Sequence, residues 1–221
     1  RIFCTFNAQK KYTNKEIFSH LKKTKGIYWA ARIGGTYDLQ IVLFVKDFAE
    51  FDAFIDDFNN TFSGLLKDYK SCYVLEHNIY RHKYAGSSAS EITYGYNDAI
   101  KNIDQLDYYI LHKLKENCRL SSLDISKGTH TTYKTIINRI KKLEKEHIIL
   151  GYRTFLQSVE EKPFIILFSF KDYTRGEEKK LMSYLAHKKE VTQSLRMFGL
   201  WNTYVHARSK SNEDIQNLVI D

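Results

Sequence analysis

The spacing of apolar residues changes along the chain, and each change marks an element. Residues 1–7 form a short apolar run of strand character. Ile17, Phe18 and Leu21 then share one helical face, with Asn14 placed to cap that helix. Residues 27–33 form a second strand, and Gly34-Gly35-Thr36 turns into 37–45, where Leu39, Ile41, Leu43 and Val45 alternate. Phe48, Phe51, Phe54, Ile55, Phe58 and Phe62 recur at helical spacing, and 71–80 supply a last strand. The order βαββαβ, with both helices on one face, predicts an α+β, ferredoxin-like domain over 1–84. Val42 and Phe44 point opposite to Leu39 and Ile41, so this sheet is apolar on both faces. Two covers for the second face are open: a larger surrounding domain, or sheet-to-sheet dimerisation.

Residues 85–102 are small, polar and aperiodic, which reads as a linker. From Asp104 the period is helical again, with Leu106, Ile110, Leu111 and Leu114 on one stripe. Ser121-Ser122-Leu123-Asp124 has the Ser-x-x-Asp form of a helix start, and a short helix runs to about Lys127. Gly128-Thr129-His130-Thr131 is a turn, after which Thr131 or Thr132 caps a third helix. In that helix Ile136, Ile137, Ile140 and Leu143 face inward. Tyr133, Lys134, Asn138, Arg139, Lys141 and Lys142 fall mostly outward. Lysine and arginine neutralise phosphates, while short polar groups near a helix N-terminus reach base edges. The candidate DNA contacts are therefore Ser122, Thr131, Thr132, Tyr133, Lys134, Thr135, Asn138, Arg139, Lys141 and Lys142. The competing reading is a lysine-rich face that is merely solvated.

Comparing the chain with itself at an offset of 164 aligns residues 1–57 with 165–221 without a gap. Ile2 meets Ile166, Phe6 meets Phe170, Leu21 meets Leu185, Arg32 meets Arg196 and Gly35 meets Gly199. Apolar class is kept at Ile17 and Leu181, Ile27 and Val191, and Phe54 and Leu218. Duplication explains this pattern better than chance, and it predicts a second, incomplete ferredoxin-like domain over 153–221.

Composition narrows the possible functions. The 221 residues are 43 % hydrophobic and 14 % aromatic, enough for real cores, and contain one proline. No apolar run approaches the roughly 18 residues a membrane span needs, so no membrane partner is expected. A net charge of +8 favours an anionic partner. Cys4, Cys72 and Cys118 are scattered and odd in number, which predicts free thiols and a cytoplasmic location. The 8 histidines fall in neither an HExxH nor a CxxC-plus-His pattern, so no metal is expected. The sequence has no GxGxxG or GxxxxGK(S/T) loop, and catalytic arrangements assemble in space and cannot be read from spacing. With no positive sign of either, neither cofactor nor enzymatic activity is predicted.

The segments Ile103-Asp104-Gln105-Leu106-Asp107, Arg119-Leu120-Ser121, Arg139-Ile140-Lys141-Lys142-Leu143-Glu144 and Ile148-Ile149-Leu150-Gly151-Tyr152 resemble the winged helix-turn-helix of the Lrp/AsnC transcriptional regulators. That family places such a domain before a ferredoxin-like effector domain carrying a Gly-x-x-Asp turn, to which Gly35-Thr36-Tyr37-Asp38 is similar. The resemblance implies a winged helix-turn-helix over 103–152 that binds double-stranded DNA. It implies a small amino-acid-like effector at Gly35, Thr36, Tyr37 and Asp38, the aspartate receiving its ammonium group. It also implies a homo-oligomer or an intrachain pseudo-dimer of effector domains. Two departures stand out. Thr129-His130-Thr131-Thr132 replaces the family's common Val-Gly-Leu-Ser, losing a glycine where positive φ is often needed. In the second copy Asn202 replaces the aspartate, and an amide offers an ammonium group no full negative charge.

The expected function is thus a DNA-binding regulator answering to an amino-acid-like effector. The alternative is an effector-sensing or oligomerisation module whose helix-turn-helix is vestigial. A more distant one is an enzyme's regulatory subunit built on ferredoxin-like domains. The 164-residue offset further predicts a helix-turn-helix encoded upstream of Arg1, and a completing helix and strand encoded after Asp221.

Overall fold

The computed structural model describes residues 1–80, 92–95, 102–152 and 160–220. The first unit contains β1 (Ile2–Phe6), α1 (Asn14–Lys23), β2 (Ile27–Arg32), β3 (Leu39–Leu43), α2 (Phe48–Thr61) and β4 (Leu66–Ile79). Its strands run β2-β3-β1-β4, all antiparallel, which is the ferredoxin-like order. Ile2, Cys4, Leu39 and Ile41 meet Ile17, Leu21, Phe54 and Phe58 beneath the two helices. The cap of α1 is Thr13, one residue earlier than expected: its hydroxyl and Glu16 form a reciprocal box that Asn14 cannot make. Likewise β4 begins at Leu66, because 66–71 pair with β1 despite their charged composition.

β5 (Ile92–Gly95) lies inside the stretch read as linker and pairs with the end of β4. Thr93 donates to Asn78 Oδ1 at 2.8 Å, and the Tyr94 hydroxyl lies 2.6 Å from His77 Nδ1, so side-chain partners secure this short strand. The remainder of that linker lies outside the described residues, apart from its final residue, 102.

After the helices α3 (Gln105–Glu116), α4 (Ser122–Ser126) and α5 (Tyr133–Lys145) come β6 (Lys162–Phe168), α6 (Arg175–His187), β7 (Val191–Gly199), β8 (Thr203–Ser209) and α7 (Asn212–Ile220). β4 is shared by two sheets: its first part pairs with β1 and its second with β7, which links the two into one continuous eight-stranded order. The partner changes between Ser71 and Cys72, and a bulge between Val74 and Glu76 follows within the β7-paired part. Strand registers recur at the offset of 164: Ile2↔Ile41 becomes Ile166↔Val205, and Ala30↔Ile41 becomes Ser194↔Val205. Even the bulge between Ile27 and Trp29 recurs between Val191 and Gln193. One difference breaks the parallel, since the Thr174–Glu177 capping box starts α6 three residues early.

The second face of the first sheet is covered in part by the chain itself: Phe3 is buried there, while Val42 is half-buried and Phe44 is exposed. Phe3, on the opposite side of β1 from Ile2 and Cys4, is fully buried against Leu195, Tyr204 and Trp201. The two sheets therefore pack face to face within one polypeptide.

Candidate nucleic-acid interface

Three short helices, α3 (Gln105–Glu116), α4 (Ser122–Ser126) and α5 (Tyr133–Lys145), close around Ile110, Ile125, Ile136 and Leu143. Each start is capped by a side chain. Asp104 and Asp107 form a reciprocal box on α3, Ser121 accepts from the Asp124 N–H, and Thr132 accepts from the Thr135 N–H at 3.2 Å.

The connection from α4 to α5 is held by hydroxyls. Thr129 donates to the Ser126 carbonyl at 3.0 Å and its oxygen lies 2.8 Å from that of Thr131. No residue of 129–132 has a positive φ, so this sequence closes the turn without the family's glycine. Gly128 is needed for a different reason: a Cβ there would lie 2.0 Å from the Tyr109 hydroxyl.

Around α5, Thr132, Tyr133, Lys134, Asn138, Lys141 and Lys142 are exposed and continuous with half-buried Thr131 and Thr135. Lys134, Lys141 and Lys142 supply positive charge along this face, and the first turn of α5 carries no acid. Ser122 is half-buried in the first turn of α4.

Arg139 is placed differently from its neighbours. Its Nη1 lies 2.5 Å from Asp104 Oδ2 and 3.2 Å from Asp107, whose carboxylate is almost wholly buried. The Asp107 N–H and this guanidinium hold the Asp104 carboxyl below its ordinary range, and Asp104 in turn raises Arg139. Arg139 thus ties α5 to the start of α3. Sequence reasoning missed this role because the partners lie 35 and 32 residues upstream; the acids at 104 and 107 were the available signal.

No strand is formed among 146–152, so the wing expected within 103–152 does not appear among the described residues.

The turn at Gly35, Thr36, Tyr37 and Asp38 lies far from this surface in sequence and joins β2 to β3. Gly35 has φ of +96°, which excludes most other residues. Asp38 Oδ2 accepts from the Phe6 N–H at 2.8 Å, while Oδ1 faces Arg32 Nη2 at 3.6 Å. Asn202 does the same backbone work, its Oδ1 accepting from the Phe170 N–H at 2.6 Å. Both side chains clamp the end of the neighbouring strand.

The profile of the AsnC-type helix-turn-helix domain matches residues 103–144. An uncharacterised HTH-type transcriptional regulator of Pyrococcus furiosus is 32 % identical over 118 residues, spanning 53 % of this chain and 79 % of its own length. The leucine-responsive regulatory protein of Haemophilus influenzae is 32 % identical over 68 residues, which cover 30 % of this chain and 41 % of that protein. The solved structure of AsnC from E. coli superposes with a TM-score of 0.46 at 22 % identity, covering 55 % of this chain and 82 % of its own. The two sequence relatives are named as regulators, and neither as an enzyme. With the three-helix unit at the matched residues and a relative of this identity spanned over most of its length, the chain belongs to the Lrp/AsnC family of transcriptional regulators.

Proposed function

We propose that this protein is a sequence-specific DNA-binding regulator in which the N-terminal half of α5 enters the major groove. The observation that carries the reading is the division of labour on α5. One cation, Arg139, is committed to α3, while Lys134, Lys141 and Lys142 stay exposed beside the Thr131 and Thr132 hydroxyls. The threonine hydroxyls also close the turn and cap α5, so the weight rests on three lysines sharing one exposed face with Tyr133 and Asn138, an arrangement suited to phosphates flanking a groove.

The test is a salt-dependent titration of duplex DNA. Replacing Lys141 and Lys142 by Ala should weaken binding to every sequence and lower the salt slope by about 0.9 for each phosphate no longer neutralised. Replacing Tyr133 or Asn138 should instead change sequence preference. An unchanged slope in the double lysine variant removes α5 from the interface. Absence of salt-dependent binding in the parent leaves an effector-sensing module with a vestigial helix-turn-helix.

The proposal includes an amino-acid-like effector at the turn of Gly35, Thr36, Tyr37 and Asp38. Family membership supports it, and so does the charge that Asp38 keeps after accepting from Phe6. Asp38 already shares that charge with Arg32, so an incoming ammonium group would have to compete with a guanidinium. Titration calorimetry across the amino acids tests it, and heats equal in the parent and Asp38→Ala would reduce Asp38 to a backbone clamp.

A further inference from the structure

Asn138 stands at the centre of the exposed face of α5. Lys134 lies one turn towards the helix start, and Lys141 and Lys142 lie one turn towards its end, all of them exposed. Residues three and four positions apart are neighbours on a helix surface, so these lysines surround the asparagine. It is also the one amide side chain in α5.

The other polar groups nearby already have partners. Thr132 accepts from the Thr135 N–H at 3.2 Å, and the two hydroxyls lie 3.1 Å apart. The Thr131 hydroxyl is 2.8 Å from that of Thr129, and Arg139 is bound to Asp104 and Asp107. Among the described residues the Asn138 amide makes no hydrogen bond, so its Oδ1 and its Nδ2 hydrogens are both available.

Side-chain length divides the face into two tasks. A lysine carries its ammonium on a flexible four-carbon stem and can swing out to the phosphates on either wall of a groove. Asparagine has a single methylene, so a helix lying in the major groove holds its amide over the base edges beneath. Adenine is the edge that fits. Its N6 amino group donates to Oδ1 while its N7 accepts from Nδ2, giving parallel hydrogen bonds to one planar amide. Guanine presents acceptors at both points, O6 and N7, and would set O6 against Oδ1. Thymine offers an acceptor and a methyl group, and cytosine only a donor.

We propose that Asn138 reads an adenine in the major groove at one fixed position of the bound sequence, while Lys134, Lys141 and Lys142 hold α5 on the phosphates. This rests on the DNA-binding reading above, and adds to it the base that is recognised and the residue that recognises it.

Selection from a pool of random duplexes with the whole chain, followed by titration of the recovered sequence, tests it. The parent should require one A·T pair whose replacement by any other pair weakens binding about tenfold. Asn138→Ala should bind every version of that position within about twofold, with the parent's salt slope. Asn138 is exposed and alanine is the better helix former, so this variant keeps the fold. Placing 7-deazaadenine there, with C–H in place of N7, should weaken the parent and leave Asn138→Ala unmoved; equal responses overturn the proposal. Salt-dependent binding by the parent without an A·T requirement, or with none that Asn138→Ala relaxes, overturns it while the DNA-binding reading stands. Absence of salt-dependent binding in the parent overturns both.

Discussion

Tyr37 and Trp201 stand 164 positions apart and meet edge to face, their ring centroids 5.5 Å apart at an interplanar angle of 89°. They hold equivalent places in the two halves of the chain, each just beyond a positive-φ glycine, Gly35 or Gly199. Phe3 packs against both rings, at 5.6 Å and 5.0 Å. This cluster is the centre of the contact that joins the two sheets. Tyr37→Ala and Trp201→Ala should each lower stability, and a double-mutant cycle should return a coupling of about 1 kcal/mol. Urea unfolding measures it, and additive losses would show that the rings do not act together.

Arg139 should matter for folding more than for DNA. Replacing it by Leu leaves the buried Asp107 carboxylate without its cation and should cost about 2 kcal/mol. Because Asp104 is held below its unfolded value, it stabilises the fold above about pH 4, and that contribution is lost as pH falls through the lower folded value. The acid limb of the stability curve should therefore be shallower in Arg139→Leu. Its salt slope for DNA should match the parent's, in contrast to the double lysine variant. A reduced slope would return Arg139 to the interface.

Gly128→Ala should destabilise the helix-turn-helix by about 1–2 kcal/mol, since the new methyl would collide with the Tyr109 hydroxyl. Adding Tyr109→Phe removes the colliding oxygen and should recover part of that loss. Thermal unfolding of the two variants and their combination decides the matter; no recovery would place the cost in the backbone.

Asp38→Asn should be nearly neutral, within about 0.5 kcal/mol, because Asn202 clamps Phe170 as an amide in the other half. Asp38→Ala should cost about 1–2 kcal/mol by leaving the Phe6 N–H unpaired. If the Asn variant falls as far as Ala, the ion pair with Arg32 outweighs the clamp.

Native thiol labelling should modify one cysteine quickly, Cys118, which is exposed while Cys4 and Cys72 are buried. Burial, reinforced by the nearby Asp38 charge, pushes the Cys4 thiol up to about 12, leaving almost no thiolate at neutral pH. Fast labelling of three thiols would mean that the sheets open readily.

By itself the sequence determined the local elements and their order. Alternation of Leu39, Ile41 and Leu43, and helical spacing of Phe54 and Phe58, depend only on which side chains one element buries. The cap at Ser121 was legible for the same reason, as was the offset of 164 that reappears in the strand registers. Most of the α5 face was legible too, because exposure follows helical period. Interactions between distant segments were not. β4 reached back to Leu66 because its polar residues pair with β1, and β5 formed where composition read a linker. Arg139 turned to two acids on another helix. The cover over Phe3 proved to be the chain's own second sheet. Period records which face of an element is buried, but what buries it is chosen by geometry among segments far apart in the chain, and only the tertiary structure supplies that.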